Sequence, residues 1–298
     1  MDILIQQYPN DSSFGETFCE VRDFLFRINE KDLSTVDFPW GRWEWAFSLP
    51  FLPVDRLTKM AIWRHEKKIV AIVSYESTAW DAYFAIDPEY SFLKEEVLKH
   101  IANEMPGPDG IHILIPDKDI KAQAIAREIG FVSGMGKEYN AVIDIDSSIN
   151  YVLPPGFSIT SLNERFDLCE YNRVLYRGFN HPGPVSDDHE EIMSRLKSLS
   201  GPDVDLTLNT AVVAPNGHFV SYCGIWHKKG SKYALVEPVA TDPEYRRMGL
   251  GKAAVLATVA KCGLQGALKA FVGSRQEFYY RLGFKPYSEA TFWERPNK

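Results

Sequence analysis

The chain has 298 residues, of which 45% are hydrophobic, which is enough for two domains with buried cores. Its net charge of −7 argues against nucleic acid or an anionic membrane as partner, although a modest acidic excess is ordinary for solubility. Four widely spaced cysteines without a Cys-x-x-Cys pair argue against a disulfide framework or zinc site. We expect a cytoplasmic protein with no metal, no signal peptide and no membrane-spanning segment.

The first half of the chain predicts an opening strand, a helix, a hairpin, and then alternating helices and strands. One further strand ends just before Asp87. The predicted bounds of the other segments, in chain order, are 2–8, 13–29, 62–64, 69–75, 92–103, 110–115 and 139–145.

The second half repeats this order after a linker near residues 147–156, where Pro154-Pro155-Gly156 opposes regular structure. Asn216-Gly217 marks its hairpin turn. The predicted bounds are 156–162, 164–179, 210–213, 219–226, 250–262, 268–273 and 287–294.

Two short motifs occur twice, in the same order. Asp-Pro-Glu-Tyr stands at 87–90 and 242–245, and a Gly-Phe pair that follows a predicted helix stands at 130–131 and 283–284. Because the offsets, 155 and 153 residues, are nearly equal, they indicate a duplicated α/β domain. We predict the two domains at 1–148 and 149–298.

The most informative segment follows the second Asp-Pro-Glu-Tyr. Arg246-x-x-Gly249-x-Gly251-Lys252 separates an apolar strand from an alanine-rich helix. Glycines permit a tight turn with accessible N–H groups, and a helix N-terminus carries partial positive charge. Arg246 and Lys252 add full positive charges, so the turn is suited to a phosphate or pyrophosphate.

Two common nucleotide motifs do not match this turn. The dinucleotide fingerprint needs a third glycine where Ala254 stands, and the phosphate-loop motif needs Ser or Thr where Ala253 follows Lys252. The Arg-x-x-Gly-x-Gly pattern, together with the element order of both halves, resembles the GNAT superfamily of N-acetyltransferases. The resemblance implies two tandem GNAT-like α/β domains, each a twisted mixed, mainly antiparallel sheet flanked by helices.

The resemblance also implies acetyl-CoA as co-substrate, bound by the turn and by the strand before it. Many family members place an asparagine that contacts CoA shortly before the catalytic tyrosine, whereas this chain has Ser274 there. The implied cofactor-binding residues are Val239, Thr241, Arg246, Arg247, Gly249, Gly251, Lys252 and Ser274.

Two catalytic residues follow from the same resemblance. Tyr279, four residues before Gly283, matches the family's proton donor to the departing thiolate, although a packing role is the alternative. Glu237, nine residues before Arg246, matches a proposed general base; a salt bridge or an exposed strand position is the alternative. Pro238 cannot donate to a strand ladder, so we expect a local splay there.

The first half lacks each of these features, and Glu95 adds a carboxylate where a phosphate would lie. We therefore predict that the first domain does not bind CoA and instead supports the second. Its matching positions hold Ser91, Lys94, Glu96, Ala82 and Ala126 in place of Arg246, Gly249, Gly251, Glu237 and Tyr279.

The acceptor site is less defined. In residues 177–188, Asp187 and Asp188 could attract an amine together with Glu190, or Asp188 could cap a helix. Three tryptophans in residues 40–45 could line a pocket, although packing is the favoured interpretation. Cys262 has no basic partner in sequence and is expected in the core.

The leading prediction is an N-acetyltransferase that moves an acetyl group to the primary amine of a small molecule in a ternary complex, as a monomer or homodimer. The alternatives are a protein or peptide N-acetyltransferase and a non-catalytic acyl-CoA-binding sensor or scaffold. Retention of the turn, Glu237 and Tyr279 in one half argues against a purely structural role.

Overall fold

A computed structural model describes residues 2–186 and 188–297, so Asp187 lies outside the described residues. The chain forms two compact units, unit 1 with residues 2–139 and 287–297 and unit 2 with residues 140–286. The predicted domain boundary at residue 148 follows the sequence repeat. Each compact unit, in contrast, includes part of a strand from the other half of the chain.

Unit 1 contains six strands of its own half and four helices, and the C-terminal strand completes its sheet. Strand β6 continues from unit 1 into unit 2, and β12 begins in unit 2 and ends in unit 1. The strands are β1 (Ile3–Gln7), β2 (Ala61–His65), β3 (Lys68–Tyr75), β4 (Asp81–Ile86), β5 (Ile111–Pro116), β6 (Val132–Asp144) and β12 (Lys285–Arg295). The helices are α1 (Glu16–Lys31), α2 (Trp40–Ser48), α3 (Lys94–Glu104) and α4 (Ile120–Glu128).

Unit 2 repeats the arrangement. Its strands are β7 (Ser158–Ser161), β8 (Asn209–Val213), β9 (Phe219–Trp226), β10 (Tyr233–Thr241) and β11 (Lys269–Val272), and its helices are α5 (Leu168–Gly178), α6 (His189–Lys197), α7 (Leu250–Leu264) and α8 (Glu277–Leu282).

The described strand pairing is mainly antiparallel in both units, and the pairs β4–β5 and β10–β11 are parallel. The strand order is β1-β2-β3-β4-β5-β12-β6 in unit 1 and β6-β11-β10-β9-β8-β7 in unit 2. Residues 290–295 of β12 pair with β5, and residues 141–144 of β6 pair with β11. The predicted fold class is confirmed.

Helices cover both faces of the sheet in unit 2. Helix α7 lies in the larger apolar core, where ten of its residues are buried because its sequence is rich in alanine and valine. Helix α5 packs on the other face through Tyr171, Val174 and Leu175. This sandwich fixes the ends of β10, α5 and α7 relative to one another within the unit.

Sequence patterns missed helix α2, gave α6 only as the alternative in which Asp188 caps a helix, and placed the start of β6 seven residues too late. The first half of β6 is largely exposed and contains two glycines, so it lacks an apolar alternation. In α2, Trp40 and Trp43 are fully buried, which confirms the packing interpretation for these two rings. Trp45 is half-buried.

The repeated Asp-Pro-Glu-Tyr has the same structural role in both units. Asp87 and Asp242 are buried, and each caps a 3₁₀ turn by accepting a hydrogen bond from the backbone N–H two residues later. Arg27 of α1 lies 2.5 Å from the Asp87 carboxylate, and Arg177 of α5 lies 2.5 Å from that of Asp242. The motif therefore joins the first helix of each unit to its central sheet.

Candidate functional site

Strand β10 separates from β11 halfway along its length. The parallel ladder joins residues 233–235 to 269–271, whereas β10 continues to Thr241. The register of β10 against β9 shifts between Val236 and Val239, and the Glu237–Pro238 peptide bond is cis. The expected splay is present, and the edge of β10 beyond residue 235 lies outside the described ladder with β11, where it is open to a ligand.

A glycine on the neighbouring strand makes room for this irregularity. A Cβ atom at Gly224 would lie 3.0 Å from Glu237 O and 3.0 Å from Pro238 Cδ, and 3.1 Å from Asn209 Oδ1. Any larger residue would push the bulge away from β9. Sequence analysis missed Gly224, although an isolated glycine in an apolar strand is a recognised sign of close backbone approach.

The turn after β10 has the geometry that the glycines predicted. Gly249 (φ 83°) and Arg247 (φ 66°) are both left-handed, and α7 begins at Leu250. A Cβ at Gly251 would lie 3.0 Å from Thr241 Oγ1 and 3.3 Å from the Phe278 ring, so this position packs tightly. The first N–H groups of α7 have no intrahelical partner and form an anion-binding end.

The remaining predicted cofactor residues surround this turn. Arg247 and Lys252 are exposed, and Lys252 also lines a polar cleft of about 320 Å³ beside the end of α8. Ser274 lies between β11 and α8, where its Oγ accepts a hydrogen bond from Gln276 N at 3.2 Å. Val239 and Thr241 are half-buried on the open part of β10.

Arg246 lies at the turn, but its guanidinium contacts protein groups. Its Nε donates to Thr241 O at 3.0 Å, and its Nη2 donates to Gly178 O at 2.8 Å and to Asn180 Oδ1 at 3.0 Å. These acceptors lie on β10 and at the end of α5. The sequence pattern located the residue correctly but could not show where its side chain points.

Tyr279 is buried in the apolar core of unit 2, edge-on to the rings of Phe278 and Phe284. Burial raises the pKa of Tyr279, and the nearby Cys223 and Glu237 raise it further. Its hydroxyl makes no hydrogen bond to any residue that the structure describes. The Tyr279 hydroxyl is therefore protonated at neutral pH, and the charge of Glu237 is near enough to contribute to its raised pKa.

The two buried thiols of unit 2 are poorly suited to act as nucleophiles. Burial raises the pKa of Cys223 to about 12 and also raises that of Cys262. Both lie in the apolar core, as expected for Cys262. A thiol that remains protonated is a poor nucleophile, so neither residue favours a covalent acyl-enzyme.

The corresponding place in unit 1 has a different structure. Strand β4 pairs with β3 without a register shift through Ala82. Helix α3 begins at Lys94, whose Nζ contacts the Asp119 carboxylate at 2.5 and 2.7 Å, and Glu96 accepts a hydrogen bond from Trp63 Nε1 at 3.0 Å. Protein charges therefore occupy the start of α3.

The segment after α5 is partly defined. Asp188 Oδ1 accepts a hydrogen bond from Glu191 N at 3.0 Å and caps α6, as in the capping alternative, while Glu190 is exposed in the first turn. Within residues 2–186 and 188–297, no group of three His, Cys, Asp or Glu side chains is arranged to hold a metal ion. Among the described helices, none combines the length and apolarity needed to cross a membrane.

Comparison with known proteins points to one family. Residues 208–286 match the model of the acetyltransferase (GNAT) domain, and no curated protein sequence matches the chain. The fold resembles a tandem GNAT protein from the clavulanic acid biosynthesis pathway (13% identity, 99% of this chain and 98% of that chain, TM-score 0.62). It also resembles a GCN5-related N-acetyltransferase from Sphaerobacter thermophilus (14%, 99% and 95%, TM-score 0.58).

A third similar structure is a GNAT-family acetyltransferase from Colwellia psychrerythraea (11% identity, 98% of this chain and 99% of that chain, TM-score 0.57). At these identities the structural similarity establishes the fold, while the sequence match establishes the domain. Residues 208–286 thus match the GNAT acetyltransferase domain in sequence, and the chain as a whole has the fold of tandem GNAT proteins.

Proposed function

We propose that unit 2 transfers an acetyl group from acetyl-CoA to the primary amine of a small molecule, directly within a ternary complex. The observation that carries this proposal is the joint presence in unit 2 of the opened β10 edge, the glycine turn before α7 and the unbonded hydroxyl of Tyr279. Unit 1 has the same fold elements without these three features.

Each feature has a chemical role. The N–H groups at the start of α7 bind the pyrophosphate, and the exposed charges of Arg247 and Lys252 add attraction. The open backbone of β10 near Val239 aligns the thioester and stabilises the oxygen that gains negative charge during attack. Acyl-CoA therefore lies between β10 and β11, against Gly251.

The transfer replaces the C–S bond of the thioester with a C–N bond to the acceptor. Glu237, acting directly or through water, takes a proton from the ammonium group so that the neutral amine attacks the thioester carbon. The C–N bond forms, the C–S bond breaks, and Tyr279 donates its proton to the departing thiolate. The nitrogen then loses its second proton to the Tyr279 phenolate, and Glu237 releases the first proton to solvent. Tyr279 carries its proton at neutral pH, and the raised pKa of Cys223 and Cys262 supports direct transfer.

Unit 1 is proposed to bind no CoA. The Lys94–Asp119 contact joins the starts of α3 and α4, and Glu95 and Glu96 place negative charge at the same helix end. We therefore expect one acetyl-CoA site per chain. We also propose that the protein is cytoplasmic, that it binds neither nucleic acid nor membrane, and that it is a monomer or homodimer.

The test is calorimetric titration of acetyl-CoA into the wild type and Lys252→Glu. A carboxylate in the first turn of a helix stabilises that helix but repels a phosphate, so affinity should fall at least tenfold without loss of folding. Ser91→Glu, at the position of unit 1 that matches Arg246 in the same turn, is the control and should leave affinity and stoichiometry unchanged.

The outcome separates the candidate functions. Absence of acetyl-CoA binding, or binding that Lys252→Glu leaves intact, would contradict the proposed site. Binding at one site per chain justifies a screen of small amines and of peptides. Tight binding without turnover on either panel would favour the acyl-CoA sensor over the enzyme.

A further inference from the structure

We propose that Arg246 is a positioning residue for the acceptor side of the site, and is not a phosphate ligand. It fixes the beginning of the loop that follows α5, residues 179–186, to the turn that precedes α7. We call this segment the acceptor-side loop. The inference rests on the proposed function, because it assigns the two sides of the site to cofactor and acceptor.

The described contacts of the Arg246 guanidinium are all with protein oxygens. One side chain joins three backbone or amide oxygens, namely Thr241 O on β10, Gly178 O at the end of α5 and Asn180 Oδ1 in the loop. A guanidinium presents its donors in a fixed planar fork, so these three bonds define its orientation. Turning it toward a phosphate would break all of them.

Independent contacts bring the same elements together. A Cβ at Gly178 would lie 2.6 Å from Ala240 Cβ and 2.9 Å from Thr241 N, so α5 ends directly against β10. Asn180 has φ 58°, a left-handed conformation that reverses the chain just past the helix. Arg246 therefore holds the residue at which the chain leaves α5 and enters the loop.

The duplicated unit provides an internal comparison. The buried aspartate and its arginine occur in both units, as Asp87 with Arg27 and Asp242 with Arg177, so that link belongs to the fold. The arginine contact does not, because Ser91 occupies the matching position and its hydroxyl bonds to no described residue. The extra link is found only in the unit that carries the glycine turn.

This arrangement connects the two sides of the site. Phosphates bound to the N–H groups of residues 249–252 would order the turn that also carries Arg246. Ordering of the turn then reduces the freedom of the acceptor-side loop, because Arg246 bonds to Gly178 at the end of α5 and to Asn180 in the loop. Acetyl-CoA should therefore slow amide exchange in the loop only when residue 246 is an arginine.

The experiment is hydrogen–deuterium exchange of residues 176–186, with and without acetyl-CoA, in the wild type, Arg246→Ala and Arg246→Lys. The reporting amides are those of Phe179, Asn180 and His181, which bond to carbonyls of α5 at 2.9 to 3.1 Å. We expect Arg246→Ala to speed their exchange at least fivefold while acetyl-CoA affinity stays within threefold of the wild type. A lysine cannot make all three bonds, so Arg246→Lys should be intermediate.

Arg247→Ala is the matched control, since it removes the same charge from an adjacent exposed residue whose side chain bonds to no described residue. It should weaken acetyl-CoA binding and leave loop exchange unchanged. The inference is overturned if Arg246→Ala leaves loop exchange within twofold, or weakens acetyl-CoA binding as much as Arg247→Ala does. Failure of the wild type to bind acetyl-CoA would refute the proposed function instead, and exchange in the cofactor-free protein would still decide the role of Arg246.

Discussion

Burial has opposite consequences for a tyrosine hydroxyl and a cysteine thiol in this site. Both groups stay protonated when water is excluded, as the raised pKa of Tyr279 and of Cys223 illustrates. A protonated hydroxyl is a competent proton donor, whereas a protonated thiol has lost its nucleophilicity. The same low-polarity core therefore keeps the proton on Tyr279 and disfavours the cysteines as acyl carriers.

Tyr279→Phe should separate catalysis from binding. The ring remains in the core and the hydroxyl makes no described hydrogen bond, so stability and acetyl-CoA affinity should change little. Loss of the proton donor should lower kcat about 10²- to 10⁴-fold. Tyr280→Phe, one residue along the same helix, is the control; equal loss of kcat in both variants would contradict the assignment of the donor.

At the scale of elements, the site depends on how the end of α5 is attached to β10. The Asp242 carboxylate is wholly buried, and Arg177 and Arg173 of α5 lie 2.5 and 3.3 Å from it. Burial alone would raise the pKa of Asp242, but hydrogen bonds from Arg177 and from Glu244 N outweigh it and hold the pKa below its ordinary value of 3.8. The ion pair therefore links helix and strand at neutral pH.

Asp242→Asn should destabilise unit 2 in a pH-dependent way. Since the folded pKa is below the unfolded one, the stabilisation is present above the ordinary value of 3.8 and is lost as the pH falls through the folded pKa. We expect the variant to lose about 2–4 kcal/mol of unfolding free energy at neutral pH, with the deficit shrinking below the ordinary value. Urea unfolding from neutral pH to below pH 3.8 measures the deficit in unfolding free energy and its dependence on pH. Glu244→Gln, at a largely exposed partner of Arg177, should change stability by only about 0.5 kcal/mol; a deficit for Asp242→Asn that does not vary with pH would contradict the argument.

At the scale of the whole molecule, unit 1 is compact without being continuous in sequence, and unit 2 is continuous but begins on a strand from the first half of the chain. Unit 1 receives β12 from the C-terminus, which pairs with β5 through six residues, and unit 2 receives the end of β6, which pairs with β11 through four. Strand pairing satisfies backbone groups that would otherwise be exposed at a sheet edge. Each unit therefore depends on a strand encoded in the other half of the chain.

Removal of residues 287–298 should damage unit 1 although the deletion lies in the second half of the sequence. Exchange of the β5 amides should become faster, because their antiparallel partner is lost, while the amides of β8, β9 and α7 keep their protection. Hydrogen–deuterium exchange of the truncated and full chains measures this. Loss of protection confined to unit 2 would contradict the assignment of β12.

The sequence alone determined the duplication, the order of most elements, the place of the glycine turn before α7 and the asymmetry between the halves. These depend on short-range patterns: alternation of apolar residues, the Gly-Phe pairs, and glycines at positions such as Gly249, whose φ of 83° disfavours other residues. Tertiary structure decided the partner of Arg246, the role of Gly224, the Lys94–Asp119 contact and the exchange of β6 and β12. An arginine or an edge strand has many acceptors available along the chain, and only packing selects which of them comes within bonding distance.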